Sequence, residues 1–237
     1  MFHPQHLTIS QPSKQENDLA QDQIRAVLER EIVEPFIRSV CSDVEISLKL
    51  TSALVLTRYT EQIVVKLPID DTMEPKKIKE CDLFLGYFGK IYQSSLFSLG
   101  STDYLSAIIL MRTLFELLVG ISTDLNSSMK DRIKSIYFLD EQEKNDLAKT
   151  WDLLCAWAHP YGKWEKYVCP KAFGTGRFYN PSLFKQSLDY SHKILDFMLA
   201  AIFEILSLSA SDYSDTPTSF MHDELPMFFK RLNRTDP

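Results

Sequence analysis

The chain has 237 residues, 45% of them hydrophobic, and a formal charge of −6 at pH 7. That length gives room for one large domain able to bury a core, and the acidic balance excludes a surface that coats nucleic acid without selectivity, because phosphate-neutralising surfaces are basic overall. Seven glycines are too few for the turns of a many-stranded sheet fold, so the composition points to helices.

Residues 1–16, MFHPQHLTISQPSKQE, lack periodicity and read as a loose N-terminal arm. A helical pattern follows from Asn17 to Val40, interrupted at Pro35. A second, from Asp43 to Leu67, sets Ile46, Leu50, Ala53, Leu54, Thr57 and Ile63 on one side and closes at Pro68. After the loop PIDDTMEP, a third runs from Lys76 to Leu99 with Gly100 as the expected left-handed terminator. A fourth spans Thr102 to Ile121, and a short fifth Lys130 to Phe138.

Asp140 followed by Glu143 is an N-cap with its capping partner, opening a sixth helix that continues through WDLLCAWAH until Pro160 stops it. Residues 161–180 form a long loop. Asn180 and Pro181 then restart a seventh helix, cap followed by proline at the first helical position, which reaches about Ser207. The stretch SASDYSDTPTS is a linker, and Met221 to Leu232 an amphipathic tail broken near Pro226, expected to dock on its own domain, with a protein partner as the other candidate. The chain thus divides into an arm (1–16), a helical domain (17–209) and a linker with its tail (210–237). The expected fold is all-α, a mostly antiparallel bundle of about six or seven helices.

The four cysteines, Cys41, Cys81, Cys155 and Cys169, are scattered without a CxxC pair, and no apolar leader is seen, which sets the expectation of a reduced, cytoplasmic setting. Two stretches, Tyr104 to Thr123 and Ile194 to Leu208, approach the apolar content of a membrane span. Each carries two charges, Arg112 with Glu116 and Asp196 with Glu204, so both read as core helices and no membrane contact is expected.

Arg112 and Glu116 stand four apart on one face of the fourth helix, and between Asp103 and Asp124 no other side chain is charged at neutral pH. A helix apolar nearly all round is surrounded by protein, so this pair is expected to be largely buried. It serves either as an internal salt bridge fixing helix register or as the polar floor of a cleft.

His159, in WAHPYGKW, sits at the end of the sixth helix, on the side of Asp152 and Cys155 and at the edge of the apolar stripe. It is a C-terminal cap meeting the helix dipole or a functional imidazole. Cys155, His159 and Cys169 do not complete a four-ligand zinc spacing, and neither a metal nor a cofactor is expected. In the following loop Lys163, Lys166, Lys171 and Arg177 alternate with Trp164 and further aromatics. That mixture suits unpaired RNA, by stacking on bases and pairing with phosphates, and it is equally the composition of a solvated loop whose aromatics pack on the helices.

The stretches LMRTLFELLVGI (110–121) and WDLLCAWAHPYG (151–162) resemble a branch of the HEPN-like helical domains, in which an apolar helix carries R-x-L-F-E and a later helix ends in His-Pro. The resemblance implies a small helical bundle, commonly a homodimer, of a family in which many members are metal-independent ribonucleases of toxin and antiviral defence systems. It implies His159 as general acid/base, Arg112 as the cation on the phosphate, and Glu116 as the group orienting Arg112. Catalytic members place an arginine before the histidine with four to six residues between them. Here those positions hold Asp152, Leu153 and Leu154, so either Arg112 supplies the cation from another helix or the chain is a noncatalytic HEPN-like adaptor for a nucleotide, an RNA or a protein partner.

Overall fold

The computed structural model describes residues 44–67, 75–101, 103–123, 127–158, 181–213 and 221–234, together with Asp22, Gln23 and Ala26. The described part of the chain is an all-α helical bundle. In chain order the helices are α1 (Val44–Lys66), α2 (Pro75–Leu83), α3 (Gly89–Gly100), α4 (Tyr104–Ser122), α5 (Met129–Ser135), α6 (Glu141–Ala158), α7 (Pro181–Ile205) and α8 (Pro226–Leu232). A π-helical turn, Phe84–Phe88, joins α2 to α3, and a 3-10 turn, Ala210–Tyr213, follows α7. Of the helix expected over 17–40 only Asp22, Gln23 and Ala26 are described, all helical and exposed.

The central element is α7, which packs against α1, α3, α4 and α8. Its sequence explains the position: Phe184, Leu188, Ile194, Leu195, Phe197, Met198, Leu199 and Ile202 are all buried, too many for one stripe, as expected of a helix with protein on most sides. Between α3 and α4 lie only residues 101–103, and the two helices pack along each other as a helical hairpin. Phe115 on α4 meets Phe197 on α7 at 5.7 Å between ring centroids and stacks on Trp151 of α6 at 5.8 Å. Those two contacts lock α4 between its neighbours.

Local chemistry sets the helix ends. Asp103 caps α4 by accepting from the Ser106 amide (3.2 Å) and hydroxyl (2.8 Å). At α6 the expected capping box forms in both directions: the Glu143 amide donates to Asp140 Oδ1 (2.8 Å) and the Asp140 amide to Glu143 Oε2 (2.9 Å). Gly100 does not terminate its helix before joining it; it is the last helical residue, and the end falls at Ser101, whose amide and hydroxyl both donate to the Phe97 carbonyl.

On α1 the buried face differs from the expected one. It runs through Leu50, Ala53, Leu56, Thr57, Thr60 and Val64, while Leu54 is exposed. Leu50, Ala53 and Thr57 are buried as expected, and Thr57 and Thr60 enter the core without a stranded polar atom because their hydroxyls donate to the Ala53 and Leu56 carbonyls (2.8 and 2.9 Å).

The C-terminal tail packs on the bundle. Met221, Leu225, Met227, Phe228 and Phe229 are buried, and α8 lies against α7. Tyr213, in the stretch read as a linker, is buried too, with Phe203, Phe228 and Tyr59 around its ring.

Candidate functional site

Arg112 emerges from α4 toward α6. Its Nη2 donates to Glu116 Oε1 at 3.1 Å, and its guanidinium lies over the Trp151 ring, 5.2 Å from the centroid. A planar cation on an indole face is a favourable electrostatic contact, and the indole is itself fixed by its stack on Phe115. Cys155, one turn beyond Trp151 on α6, lies close enough to feel both charges of the pair, but burial is the largest influence and pushes its thiol up. The thiol is therefore protonated at neutral pH and is not a standing nucleophile. Asp152, on the side of α6 expected to face His159, forms a salt bridge with Lys130 of α5 at 2.8 Å.

The pair is not buried as expected. The Arg112 side chain is 30% exposed and that of Glu116 42%. The expectation failed because an apolar helix was equated with a covered one. Ile109 and Leu117, on the outer side of α4, are themselves exposed, so apolar character here did not report burial. The consequence is chemical: the guanidinium reaches solvent, carries five N–H donors, and only Nη2 is engaged by a described residue. Its Nε is shielded and has no hydrogen-bond partner among the described residues.

His159 is the residue after the last described residue of α6, and it lies outside the described residues, as do Lys163, Trp164, Lys166, Lys171 and Arg177. Of the expected site residues, the structure brings together Arg112 and Glu116 and adds Trp151 and Cys155. Among the described residues, no three His, Cys, Asp or Glu side chains gather as a metal site.

A second charged cluster was not anticipated. Arg231 on α8 is fully buried. Its guanidinium donates to the backbone carbonyls of Met227 and Phe138 and to both oxygens of Glu143 (3.3 Å each), and its Nε lies 3.1 Å from Glu204 Oε1. Asp196, in the apolar middle of α7, accepts from the first amides of α8, Met227 (3.0 Å) and Phe228 (2.8 Å). Burial raises its carboxyl to about 7, although those two amides and Arg231 act the other way. The sequence signal was present in Asp196 and Glu204, two acids in an apolar helix, which have partners in the tail.

Comparisons with known protein families, with curated proteins and with solved structures return no match to this chain.

Proposed function

We propose that this protein is an RNA-directed, HEPN-like helical protein in which Arg112 holds a backbone phosphate and His159 moves the proton in a metal-independent cleavage. What carries the reading is Arg112: a guanidinium held in place by Trp151 and Glu116, yet reachable from solvent and with donors to spare. A rigidly oriented, incompletely engaged guanidinium is the group best suited to bidentate phosphate recognition. Glu116 offsets one charge while aiming the fork, which is the role the family resemblance gives it.

In this mechanism the 2′-hydroxyl of the RNA attacks the adjacent phosphorus, His159 takes its proton as base, and Arg112 stabilises the charge that builds on the non-bridging oxygens. The leaving 5′-oxygen takes a proton, and the products are a 2′,3′-cyclic phosphate and a 5′-hydroxyl. The aromatic and basic residues from Lys163 to Arg177 supply stacking and charge for the unpaired strand.

A second reading, the noncatalytic HEPN-like adaptor, is favoured by one observation: Asp152, Leu153 and Leu154 stand where catalytic members carry arginine. The two readings separate in one experiment. Metal-free protein with a chelator is incubated with a mixed RNA pool, and binding and cleavage are followed together for wild type, Arg112→Ala and His159→Ala. Cleavage by wild type alone, with cyclic-phosphate ends, supports the enzyme; binding that Arg112→Ala weakens, without cleavage by any form, supports the adaptor. Wild-type binding and cleavage retained in Arg112→Ala overturn the site.

A further inference from the structure

A second arginine, Arg132 on α5, rests against α4 close to the Arg112–Glu116 pair. Its Nη2 lies 3.2 Å from where a Cβ would stand on Gly120. Gly120 follows Arg112 and Glu116 at intervals of four, so the three occupy successive turns on one side of α4. Both α5 and α6 pack against α4: Arg112 reaches out to Trp151 of α6, and Arg132 reaches in from α5. The glycine makes this seat, because a methyl group at residue 120 would crowd the guanidinium.

Arg132 is partly buried, yet among the described residues its side chain has neither a hydrogen bond nor an ion pair. The neighbouring acids are engaged elsewhere: Glu116 with Arg112 (3.1 Å), Asp131 with Ser128 (2.6 Å) and Asp152 with Lys130 (2.8 Å). Its Nε is covered and partnerless, whereas Nη1 and Nη2 are not among the covered, partnerless atoms. The donors left to solvent are therefore the two terminal nitrogens, the fork with which a guanidinium grips an oxyanion.

We propose that Arg132 is a second phosphate-binding residue of the Arg112 corner and takes another phosphate of the same unpaired RNA strand. This rests on the RNA reading of that corner. Glu116 stands between the two positions along α4, and its carboxylate repels a single phosphate that would bridge both arginines. Each guanidinium therefore holds a phosphate of its own, and the pair sets the direction in which the strand crosses α4.

The test titrates the full chain, with a chelator present, against a fluorescent single-stranded RNA whose 2′-hydroxyls are methylated, so that the proposed cleavage cannot occur. Arg132→Gln should bind about tenfold more weakly and lower the dependence of log affinity on log salt by about 0.7, the loss of one phosphate contact on a single strand. Arg132→Lys keeps the charge but not the fork, so it should keep the wild-type slope and lose about threefold in affinity. Arg112→Ala, measured alongside, separates the two assignments. Wild-type affinity and slope in Arg132→Gln, with Arg112→Ala weakened, overturn the inference and leave Arg112 standing. Arg112→Ala unchanged, with Arg132→Gln weakened, keeps the Arg132 contact and overturns the Arg112 one. A loss that leaves the salt slope unchanged and is equal in Arg132→Gln and Arg132→Lys marks a structural role and overturns the inference, and absence of binding by wild type overturns both.

Discussion

Two arginine–glutamate clusters, one at Arg112 and one at Arg231, behave differently in the fold. Arg112 and Glu116 form one bond within a single helix, half in solvent. Arg231 joins three parts of the chain: its own helix through the Met227 carbonyl, the α5–α6 connection through Phe138 and the α6 cap through Glu143, and α7 through Glu204. Among the described residues the first has one hydrogen bond and a guanidinium that reaches solvent, whereas the second is wholly buried, with both terminal nitrogens bonded and Nε, 3.1 Å from Glu204, without a hydrogen bond. An arginine with every donor inside protein is a structural clamp, whereas one presented on an aromatic platform with donors open is available to a ligand. That contrast, rather than the presence of arginine, is what the phosphate proposal at Arg112 rests on, and it makes Arg231 part of the architecture.

The contrast breaks first at Arg231. Replacing it with Met leaves Glu143 with the more exposed Lys230 at 3.4 Å and Glu204 with the exposed Arg234 at 2.7 Å but takes away the buried cation they share, and breaking a buried pair by removing one partner costs up to about 3–5 kcal/mol. The urea midpoint of Arg231→Met, followed by far-ultraviolet circular dichroism, should fall accordingly. The triple variant Arg231→Met with Glu143→Gln and Glu204→Gln should recover part of that loss, because two largely buried carboxylates that had lost their buried cation are then neutral. A single variant as stable as wild type would mean that the tail is held by its apolar residues alone.

The next effect concerns pH. Asp196 and His192 are one helical turn apart on α7 and titrate in opposite senses. The folded state raises Asp196 from 3.8 to about 7, so its contribution to stability is full below pH 3.8 and is lost as pH rises through 7. The folded state lowers His192 from 6.5 to about 4, so its contribution is present above pH 6.5 and is lost as pH falls through 4. Between pH 4 and 6.5 the two slopes oppose each other. Relative to wild type, Asp196→Asn should therefore lose stability on acidification across that window, and His192→Phe should gain it. Chemical denaturation at several pH values reads the two difference curves; parallel curves would contradict the assignment of burial as the dominant influence on both groups.

The fold was legible in sequence wherever local chemistry decides the structure. Asp140 with Glu143, and the proline at 181, marked helix starts that the structure reproduces within a residue, because caps and proline act on neighbouring amides; Asn180 lies outside the described residues. Legibility failed where a partner distant in sequence matters. Nothing near Asp196 announces that it receives two amides from residues 227 and 228. The Arg112–Glu116 pair was correctly placed on one face, but its burial was not, since exposure depends on what packs outside Ile109 and Leu117 and the sequence of α4 is silent on that.

The smallest expected effect is also the sharpest for function. An exposed ion pair four residues apart on a helix is worth about 0.3–0.5 kcal/mol, and a solvent-reachable cation–π contact about 0.5–1 kcal/mol. Arg112→Ala should therefore lower stability by about 1 kcal/mol, well below the loss at Arg231. Arg112→Lys keeps the charge but not the planar fork, so it should sit between wild type and Ala in stability while losing bidentate phosphate contact. Equilibrium denaturation of the two variants beside RNA binding makes the separation: a small stability change with a large binding change marks a ligand-facing guanidinium. If Arg112→Ala instead unfolds the protein as readily as Arg231→Met, the corner between α4 and α6 is a clamp as well, and the phosphate assignment falls with it.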